Sequence, residues 1–329
     1  MSIKVLLATP YSFQKYGGVQ NQVNIIEEYL TSHEEFEVKV FAYGKTESLD
    51  SSKIFNIPFN SSISSVLLFP NRKLLRDYID WADVVHVHEP FVPLFFWKLP
   101  KSKKYIFTHH ASLGAIITNI LSIIYKFFRY RSISTYVSKS AESNALSLNS
   151  EPLLIPNMIR INKNITYSEN QGYLFVGRQE TRKNYSLFVK LSNHKQFTKK
   201  LFYAITNKDK SDKNITIFKN PSDEFKNEIY DKTNIYLALN TKSESFGITL
   251  LEAVNNGNLV ISSDLRSFIN VLPNSYIVYK NNDFESLCNV LTKLDSKDLN
   301  LLWNKQYEDI RKYDLEENMK KFILLYSKL

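Results

Sequence analysis

The chain has 329 residues, of which 43% are hydrophobic and 14% aromatic, and it carries a formal net charge of +9. This length and hydrophobic content are sufficient for two domains with packed cores. The one cysteine, Cys288, excludes an internal disulfide and fits a reducing cytosol.

The sequence also argues against a secreted or membrane-spanning protein. The N-terminal segment MSIKVLLATP has an apolar run too short for a signal peptide, and no uncharged apolar stretch reaches the ~18 residues that span a bilayer. We therefore expect a cytoplasmic protein, soluble or peripheral on the cytoplasmic face of a membrane. The positive charge favours an anionic partner, which could be nucleic acid, a nucleotide substrate or an anionic membrane surface, although a coding bias toward lysine would also produce it.

Short apolar segments alternate with helical patterns, which predicts α/β architecture with parallel sheets. The strands of a first sheet are predicted at 3–9, 38–42, 84–87, 105–108, 135–137 and 153–155. Those of a second sheet are predicted at 173–176, 201–204, 214–218, 235–239, 259–262 and 276–279. The polar segment 157–171 between the two sets is the predicted linker, and a last helix is predicted at 314–327.

The loop after the first predicted strand contains Gly17 and Gly18. It is not a dinucleotide-binding fingerprint, because it lacks G-x-G-x-x-G and the second strand ends without an acidic residue for a ribose. Two glycines at a helix start instead allow a backbone to approach a phosphate or an acceptor closely, with a plain tight turn as the alternative.

Four histidines, His86, His88, His109 and His110, lie within or directly after the predicted strands 84–87 and 105–108. His86 and His88 alternate along one strand and share a face, so with only Glu89 nearby we expect strand-end residues and no zinc site. His110 closes the following strand, where parallel strands present functional side chains, although a purely structural role is an alternative. No D-x-D motif is present for a metal-bound diphosphate, so we expect no metal ion and no cofactor.

Apolar residues recur at helical spacing within 111–131, at Leu113, Ile116, Ile117, Ile120, Ile124, Phe127 and Phe128. Lys126, Arg129 and Arg131 add positive charge at one end of this segment. The pattern is typical of an interfacial helix on an anionic lipid surface, to which Arg72, Lys73 and Arg76 could contribute, and it is equally typical of a core helix.

The segment GYLFVGRQETRKN, residues 172–184, places Arg178 and Lys183 between a strand and a helix. A guanidinium fork and a mobile ammonium suit phosphate oxygens, so a diphosphate is their natural target. An arginine after a strand is by itself more often a surface residue, and the prediction therefore depends on a second motif nearer the C-terminus.

That second motif, ESFGITLLE, places Glu244 and Glu252 eight positions apart, on either side of a helix start at Gly247. Free N–H groups and the positive helix end make an anion site there, to which the backbone of Phe246 and Ile248 also belongs. Ionised carboxylates only accept hydrogen bonds, so beside a diphosphate their partners are sugar and ribose hydroxyls. This is the layout of a sugar-nucleotide site.

The motifs ESFGITLLEA and VGRQETRK resemble the donor site of retaining glycosyltransferases of family 4, which have the GT-B fold. ATPYSFQKYGGVQNQV, HVHEP and THH in the first half are similar to the phosphatidylinositol mannosyltransferase branch. The resemblance implies two Rossmann-like domains facing across a cleft, an acceptor-binding domain at 1–157 and a nucleotide-sugar domain at 158–313. It also implies that 314–329 forms a C-terminal helix that packs back on the first domain.

The resemblance further implies roles for individual residues in transfer of mannose from GDP-mannose to phosphatidyl-myo-inositol. Arg178 and Lys183 would stabilise the leaving diphosphate, Glu244 would orient the donor sugar and Glu252 would hold the ribose. His110 would contact the transferred sugar. In the same resemblance the loop of Gly17 and Gly18 touches the donor phosphate, and Tyr11 lies where the acceptor head group is held.

The sequence departs from the family pattern at three points, and the two in its second half remove no binding side chain. Gln14 stands where that branch tends to have an acid, Asn184 replaces a glycine, and Asn258 with Leu259 replaces a small residue followed by proline. The alternatives are a family 4 enzyme that uses another nucleotide sugar on a glycan or a different glycolipid, and a non-catalytic nucleotide-sugar-binding protein. A nucleic-acid-binding protein is a third alternative, but no basic stripe with interleaved aromatic residues supports it.

Overall fold

The computed structural model describes residues 2–15, 17–47, 49–59, 62–92, 94–97, 99–111, 113–208, 212–242 and 244–328. The chain forms two compact units, which we call unit 1, Met1–Met158 with Leu315–Leu329, and unit 2, Ile159–Asp314. The sequence-based boundaries lie at 157/158 and 313/314.

Unit 1 contains a parallel sheet, a short antiparallel hairpin and the helices that cover them. Its strands are β1 (Ile3–Ala8), β2 (Phe36–Phe41), β3 (Ile54–Phe59), β4 (Ser62–Leu67), β5 (Val84–His88), β6 (Lys104–His109), β7 (Arg131–Tyr136) and β8 (Leu153–Leu154). Its first helices are α1 (Gly18–Thr31), α2 (Arg72–Trp81), α3 (Ala115–Phe128) and α4 (Glu142–Leu146), with a 3-10 turn at Ser51–Lys53.

Unit 2 repeats this alternation of strands and helices. Its strands are β9 (Gly172–Val176), β10 (Leu201–Thr206), β11 (Thr216–Lys219), β12 (Ile235–Ala238), β13 (Leu259–Ser263) and β14 (Val278–Tyr279). Its helices are α5 (Tyr185–Ser192), α6 (Asp223–Asp231), α7 (Ile248–Asn255), α8 (Arg266–Val271), α9 (Phe284–Leu294) and α10 (Leu299–Ile310), with 3-10 turns at Thr181–Lys183, Lys195–Phe197 and Arg311–Tyr313. The last helix, α11 (Leu315–Ser327), belongs to unit 1.

The sheet of unit 1 has the strand order β2-β1-β5-β6-β7-β8, and every pairing in it is parallel. Side chains alternate between its faces, as the period of two in a strand requires. Val5 and Leu7 of β1 join the apolar cluster of α1 and α11, whereas Leu6 joins the cluster of α2 and α3 on the opposite face. Both faces are thus covered by helices, which explains why these strands read as continuous apolar runs.

The sheet of unit 2 has the order β11-β10-β9-β12-β13-β14, again with parallel pairings. The direction in which the chain adds strands reverses between β9 and β12. In open α/β sheets such a reversal leaves a crevice outside the carboxyl ends of the two strands, where ligands bind. We therefore expect ligand-binding residues in the loops that follow Val176 and Ala238.

The predicted α/β architecture is confirmed, and each predicted strand occurs. The strand ends differ by a few residues, and the largest shift is in β7, which begins at Arg131 where the sequence predicted 135. The hairpin β3-β4 was not predicted, because Asn56 and Pro58 interrupt the apolar residues of β3 and three of the six residues of β4 are serines. The predicted packing of the last helix on the first domain is also confirmed, since Leu315, Met319 and Phe322 of α11 lie in the core of unit 1.

Candidate active site

Unit 2 brings together one predicted cation and one predicted carboxylate at the reversal between β9 and β12. Lys183 follows β9, Glu244 follows β12, and the Lys183 Nζ lies 2.8 Å from the Glu244 Oε2. Both side chains are largely buried, with 13% and 18% of their surface exposed. A charge pair in such a position is costly to break by removing one partner, at about 3–5 kcal/mol.

Two further donors act on the same carboxylate oxygen. Asn240 donates from its amide nitrogen to the Glu244 Oε2 at 2.6 Å, and an Arg182 nitrogen lies 3.7 Å away. Burial alone would raise the pKa of Glu244, but Lys183, Arg182 and the hydrogen bond from Asn240 hold the pKa below its ordinary value. The carboxylate is therefore ionised at neutral pH, with its contacts concentrated on one oxygen. Sequence reasoning missed Arg182 and Asn240, although both stand within the motifs it used.

Arg178, the second predicted cation, lies in a different contact. Its Nε is 3.2 Å from the Glu180 Oε1, and the Arg182 Nε is 3.1 Å from the other oxygen of the same carboxylate. Glu180 thus bridges the two arginines. The Arg178 side chain is 39% exposed, so its guanidinium keeps access to solvent.

The predicted helix start directly follows the loop that carries Glu244. Gly247 precedes α7 with φ of 97°, a left-handed conformation that favours glycine, and a Cβ there would lie 3.0 Å from the Phe268 ring. Phe246 is buried and its ring packs edge-on against Tyr313, at 5.3 Å between centroids. The side chain of Phe246 therefore stabilises the core, which leaves the backbone of this segment as the group that could meet an anion.

Glu252, the second predicted carboxylate, is paired with a residue that the sequence did not single out. The Lys226 Nζ of α6 lies 2.6 Å from the Glu252 Oε2, and the Tyr230 hydroxyl lies 3.5 Å from the same oxygen. The Glu252 side chain is 22% exposed. The cation of α6 thus anchors one oxygen of this carboxylate, as Lys183 anchors one oxygen of Glu244.

Unit 1 gathers histidines where β5 and β6 end. His88 and His110 are buried, and the His88 Nδ1 lies 3.0 Å from the His110 Nε2. The ring of His86 stacks on that of His88 at 4.2 Å between centroids. Burial lowers the pKa of His86, His109 and His110 to about 3 and that of His88 well below its ordinary value. These rings are therefore uncharged at neutral pH.

Glu89 lies beside these rings in an unusual backbone conformation, with φ of 59°. Its Oε2 accepts hydrogen bonds from the backbone N–H groups of His110, at 3.2 Å, and Ala111, at 2.8 Å. Burial raises the pKa of Glu89 to about 7, although these two hydrogen bonds act in the opposite direction. Sequence analysis treated Glu89 only as a neighbour of the histidines, because neither its burial nor its backbone partners can be read from the motif.

The remaining predicted residues of unit 1 lie in the loop between β1 and α1. Burial raises the pKa of Tyr11, with the charge of Glu89 as a second cause. Gly17 and Gly18 are exposed at the start of α1, and a Cβ at Gly18 would meet nothing within 4 Å. Gln20 holds this loop by donating to the carbonyls of Ser12 and Lys15. A Cβ at Gly17, in contrast, would lie 2.9 Å from the Gln20 Oε1, so the loop is open beside Gly18 and closed by the Gln20 side chain beside Gly17.

The helix α3 places four residues of the predicted apolar stripe in solvent, with exposed fractions of 77% for Ile116, 52% for Ile117, 55% for Ile120 and 79% for Phe127. The other three, Leu113, Ile124 and Phe128, are partly buried, and Ile123, which the predicted stripe did not include, is 67% exposed. The buried face consists instead of Thr118, Leu121, Ser122 and Tyr125. The core alternative is therefore wrong for most of the stripe, because the face that packs inward is the more polar one.

The basic residues predicted for a lipid surface differ in whether their side chains are engaged in contacts within unit 1. Lys126, Arg129 and Arg131 are exposed. Arg72, in contrast, donates to the carbonyls of Phe95 and Trp97 at 2.8 and 3.0 Å and also to that of Leu94, so its guanidinium holds the 94–97 segment. Of the three basic residues predicted on α2, Lys73 and Arg76 are left as surface charges.

Two further features were sought among the described residues, a metal site and a membrane-spanning helix. No group of three or more His, Cys, Asp or Glu residues is placed to hold a metal ion within the ranges given above. No helix among the described residues is long and apolar enough to cross a membrane.

The uncharged histidines predict a pH effect on unit 1. The unfolded chain takes up protons between pH 6.5 and about 3 that folded His86, His109 and His110 do not. Their stabilising effect is therefore complete above pH 6.5 and is lost as the pH falls toward 3, by about 2 kcal/mol per histidine at pH 5. Glu89, with its raised pKa, acts oppositely: its contribution is complete below pH 4.5 and is lost as the pH rises through about 7.

We expect the amides of β5 and β6 to lose hydrogen-exchange protection between pH 7.5 and pH 5, after correction for intrinsic exchange rates. The amides of β9 and β12 in unit 2 serve as the internal control. Glu89→Gln removes the opposing contribution and should steepen the loss. The same pH slope in both sheets would contradict this account.

Comparison with known proteins agrees with this geometry. Residues 159–314, which coincide with unit 2, match the family described as Glycosyl transferases group 1. The phosphatidyl-myo-inositol mannosyltransferase of Mycobacterium leprae (strain TN) is 26% identical over 305 residues, which cover 82% of this chain and 81% of that protein.

Two solved structures share the fold over the whole length. A glycosyltransferase from Rickettsia africae ESF-5 matches with a TM-score of 0.70 at 17% identity and covers 99% of this chain and 98% of its own. Anabaena HepE, solved in complex with UDP and glucose, matches with a TM-score of 0.67 at 12% identity, over 99% and 100% of the two chains. Unit 2 therefore belongs to the group 1 glycosyltransferases of family 4, and the chain has the GT-B fold of its solved structural neighbours.

Proposed function

We propose that this glycosyltransferase transfers mannose, with retention of configuration, from GDP-mannose to a lipid-linked hydroxyl such as that of phosphatidyl-myo-inositol. The observation that carries the proposal is the 2.8 Å contact between the Lys183 Nζ and the Glu244 Oε2 at the strand reversal of unit 2. It sets a cation and an ionised acceptor side by side, as a sugar nucleotide requires. Mannose and the inositol lipid rest on the similarity to the mycobacterial enzyme, and the guanine base rests on the resemblance of the motifs to that branch of the family.

The diphosphate is the part of the donor that Arg178 and Lys183 would bind. In the reaction the bond between the anomeric carbon and a phosphate oxygen breaks, and its electron pair goes to the departing diphosphate. Positive charge placed there in advance lowers the barrier, because it needs no rearrangement as the negative charge develops. The backbone at the start of α7, from Phe246 to Ile248, adds N–H groups and the positive helix end.

The two carboxylates would bind the two sugars of the donor. Glu244 keeps an ionised oxygen for a hydroxyl of the transferred hexose, and Glu252 keeps one for the ribose, since each is anchored through its other oxygen. His110 of unit 1 would contact the transferred hexose. The acceptor hydroxyl attacks on the face that the phosphate leaves, and its proton passes to the departing phosphate oxygen, so no protein nucleophile is needed.

The acceptor would be held by unit 1. The loop of Gly17 and Gly18 would bind a phosphate through its backbone at the start of α1, where the space beside Gly18 is open, and Tyr11 would contact the acceptor head group. The exposed apolar face of α3, made of Ile116, Ile117, Ile120, Ile123 and Phe127, would lie in the interfacial region of the bilayer. Lys126, Arg129 and Arg131 would meet anionic head groups, which selects an acidic lipid surface as the occupant.

A second candidate is transfer from another nucleotide sugar to a glycan or a different glycolipid. Gln14 favours it, because a neutral amide stands where the resembled branch tends to have an acid for the inositol. Turnover of a panel of nucleotide sugars, with and without phosphatidylinositol vesicles, distinguishes the two. A transfer rate that is the same with and without the vesicles would favour the second candidate.

Removing either predicted cation should slow transfer. We expect Arg178→Ala and Lys183→Ala each to raise the barrier by roughly 2–4 kcal/mol, because each removes charge that stabilises the leaving diphosphate. Glu244 keeps Asn240 and Arg182 as partners, so the Lys183 variant should still fold. The measurement is kcat with saturating donor, and Lys195→Ala, at an exposed lysine beyond α5, is the matched control. A folded double variant with the wild-type rate would reject the role.

Removing the Glu252 carboxylate should weaken donor binding. We expect Glu252→Ala to raise the donor dissociation constant by a factor of about 5 to 30, because one hydrogen bond to a charged group is worth roughly 1–2 kcal/mol. Calorimetry with GDP measures this without turnover. Glu308→Ala, at an exposed carboxylate of the same unit, is the control. An affinity equal to that of the wild type would exclude contact with the ribose.

Neutralising the basic end of α3 should reduce membrane binding. We expect replacement of Lys126, Arg129 and Arg131 by Ser to lower sedimentation with acidic vesicles and transfer to lipid, while GDP affinity stays unchanged. In the wild type, binding should rise with acidic lipid and fall with salt, which screens surface charge.

The control for this experiment is a triple serine variant at Lys195, Lys199 and Lys232, which are exposed cations of unit 2. It removes the same net charge elsewhere. Equal sedimentation with neutral and acidic vesicles, or equal loss in the two triple variants, would contradict the lipid surface.

A further inference from the structure

A chain of buried polar contacts links the C-terminal helix to the histidines of unit 1. The Tyr326 hydroxyl of α11 lies 2.9 Å from the His86 Nδ1. The other ring nitrogen of His86 lies 2.6 Å from the Thr108 Oγ1, which in turn lies 2.6 Å from the Thr135 Oγ1. These groups fix His86 from both sides, on α11, β6 and β7, and neither the donor site nor the lipid surface uses them.

His86 in turn confines His88, and His88 contacts His110. The rings of His86 and His88 stack at 4.2 Å with planes 28° apart, so His88 cannot turn toward His86 without displacing it. On its other side the His88 Nδ1 meets the His110 Nε2 at 3.0 Å. The order of contacts is thus Tyr326, His86, His88, His110, all within unit 1.

Counting protons assigns the tautomers. Each of these rings is neutral and carries one N–H, as their lowered pKa values require. Burial raises the pKa of Tyr326, so its hydroxyl keeps its proton and can donate it to the His86 Nδ1. The His86 Nε2 proton then goes to Thr108. The Thr108 hydroxyl can then donate to the Thr135 Oγ1.

His88 decides the tautomer of His110. The His88 Nε2 is buried and has no hydrogen-bond partner among the described residues. A buried N–H without an acceptor is rarer than a lone pair without a donor, so the His88 proton belongs on Nδ1, facing His110. The His110 Nε2 is then an acceptor, and the His110 proton lies on Nδ1.

We propose that His88 is a positioning residue that holds His110 as its Nδ1–H tautomer, and that Tyr326 supports it through His86. This rests on the proposed function in one respect, that His110 contacts the transferred sugar. His110 then recognises a sugar hydroxyl as a hydrogen-bond donor through Nδ1, with a ring orientation that the C-terminal helix helps to set. The C-terminal helix thereby contributes to transfer without touching substrate.

The first measurement is the tautomer itself, by nitrogen-15 NMR of histidine-labelled protein, in which the chain's six histidines are few enough to assign by single substitutions. In the wild type we expect a protonated Nδ1 and a bare Nε2 on His110. His88→Phe keeps a ring but no donor and should shift His110 toward the other tautomer. His88→Asn, whose amide nitrogen can stand near the Nδ1 position, should restore it and also guards against a variant that merely unfolds.

The second measurement is transfer with a donor that the wild type uses. We expect His88→Phe to lower kcat about tenfold, the change that 1.4 kcal/mol produces, with GDP affinity unchanged because the donor binds unit 2. Tyr326→Phe should lower kcat in the same direction by a smaller factor. Tyr29→Phe is the matched control, since the Tyr29 hydroxyl also binds α11, at Glu316, while its ring stacks on His33, which is not one of the three histidines in the series.

The outcomes separate this inference from the proposed function. A proton on the His110 Nε2 in the wild type, or an unchanged tautomer in His88→Phe, overturns the inference whatever the enzyme transfers. The same kcat for Tyr326→Phe and Tyr29→Phe overturns the part assigned to Tyr326. If no sugar nucleotide is turned over but the tautomer responds to His88→Phe, the positioning holds and the proposed function fails.

Discussion

The candidate site of unit 2 depends on the ion pair between Lys183 and Glu244. A carboxylate that is mostly removed from water is unstable as an anion unless a cation and hydrogen-bond donors replace the water. Lys183, Arg182 and Asn240 do so, and they come from the two loops that follow β9 and β12. The parallel sheet makes this possible, because neighbouring parallel strands end at the same edge and deliver their loops to one place.

The two units stabilise their buried polar groups by different interactions, ion pairs in unit 2 and hydrogen bonds between neutral groups in unit 1. Unit 2 pairs two of its largely buried carboxylates with lysines, Glu244 with Lys183 and Glu252 with Lys226. Unit 1 keeps His86, His88 and His110 neutral and joins them by hydrogen bonds to each other and to hydroxyl groups. The first arrangement suits a highly charged diphosphate, and the second suits uncharged hydroxyl groups.

The helix α3 shows how an apolar pattern can mislead when only its spacing is known. Its most apolar face lies in solvent, while Thr118, Ser122 and Tyr125 on the inner face are buried. The Thr118 hydroxyl donates to Asn144, and the Tyr125 hydroxyl to the carbonyl of Pro90, so these polar groups keep their partners on burial. With its inner face satisfied, the outer apolar face is available for another surface.

The sequence alone determined the order of the strands in the two parallel sheets, because each of them is an apolar run of strand length, whereas it did not show the hairpin β3-β4. It also determined that Gly247 begins a helix between two carboxylates, since glycine, periodicity and spacing are local properties. The resemblance of its motifs identified the glycosyltransferase family, but identity of about a quarter leaves the sugar and the acceptor as proposals.

Only the tertiary structure decided which side chains meet. Lys183 and Glu244 are 61 positions apart and His86 and Tyr326 are 240 apart, and no local pattern encodes such pairs. The partners of Glu252, the burial of Glu89 and the outward face of α3 likewise depend on which surfaces pack together. Packing also fixes the local dielectric, and with it the charge of Glu244 and the neutrality of the histidines, because desolvation acts on a group only when the rest of the fold surrounds it.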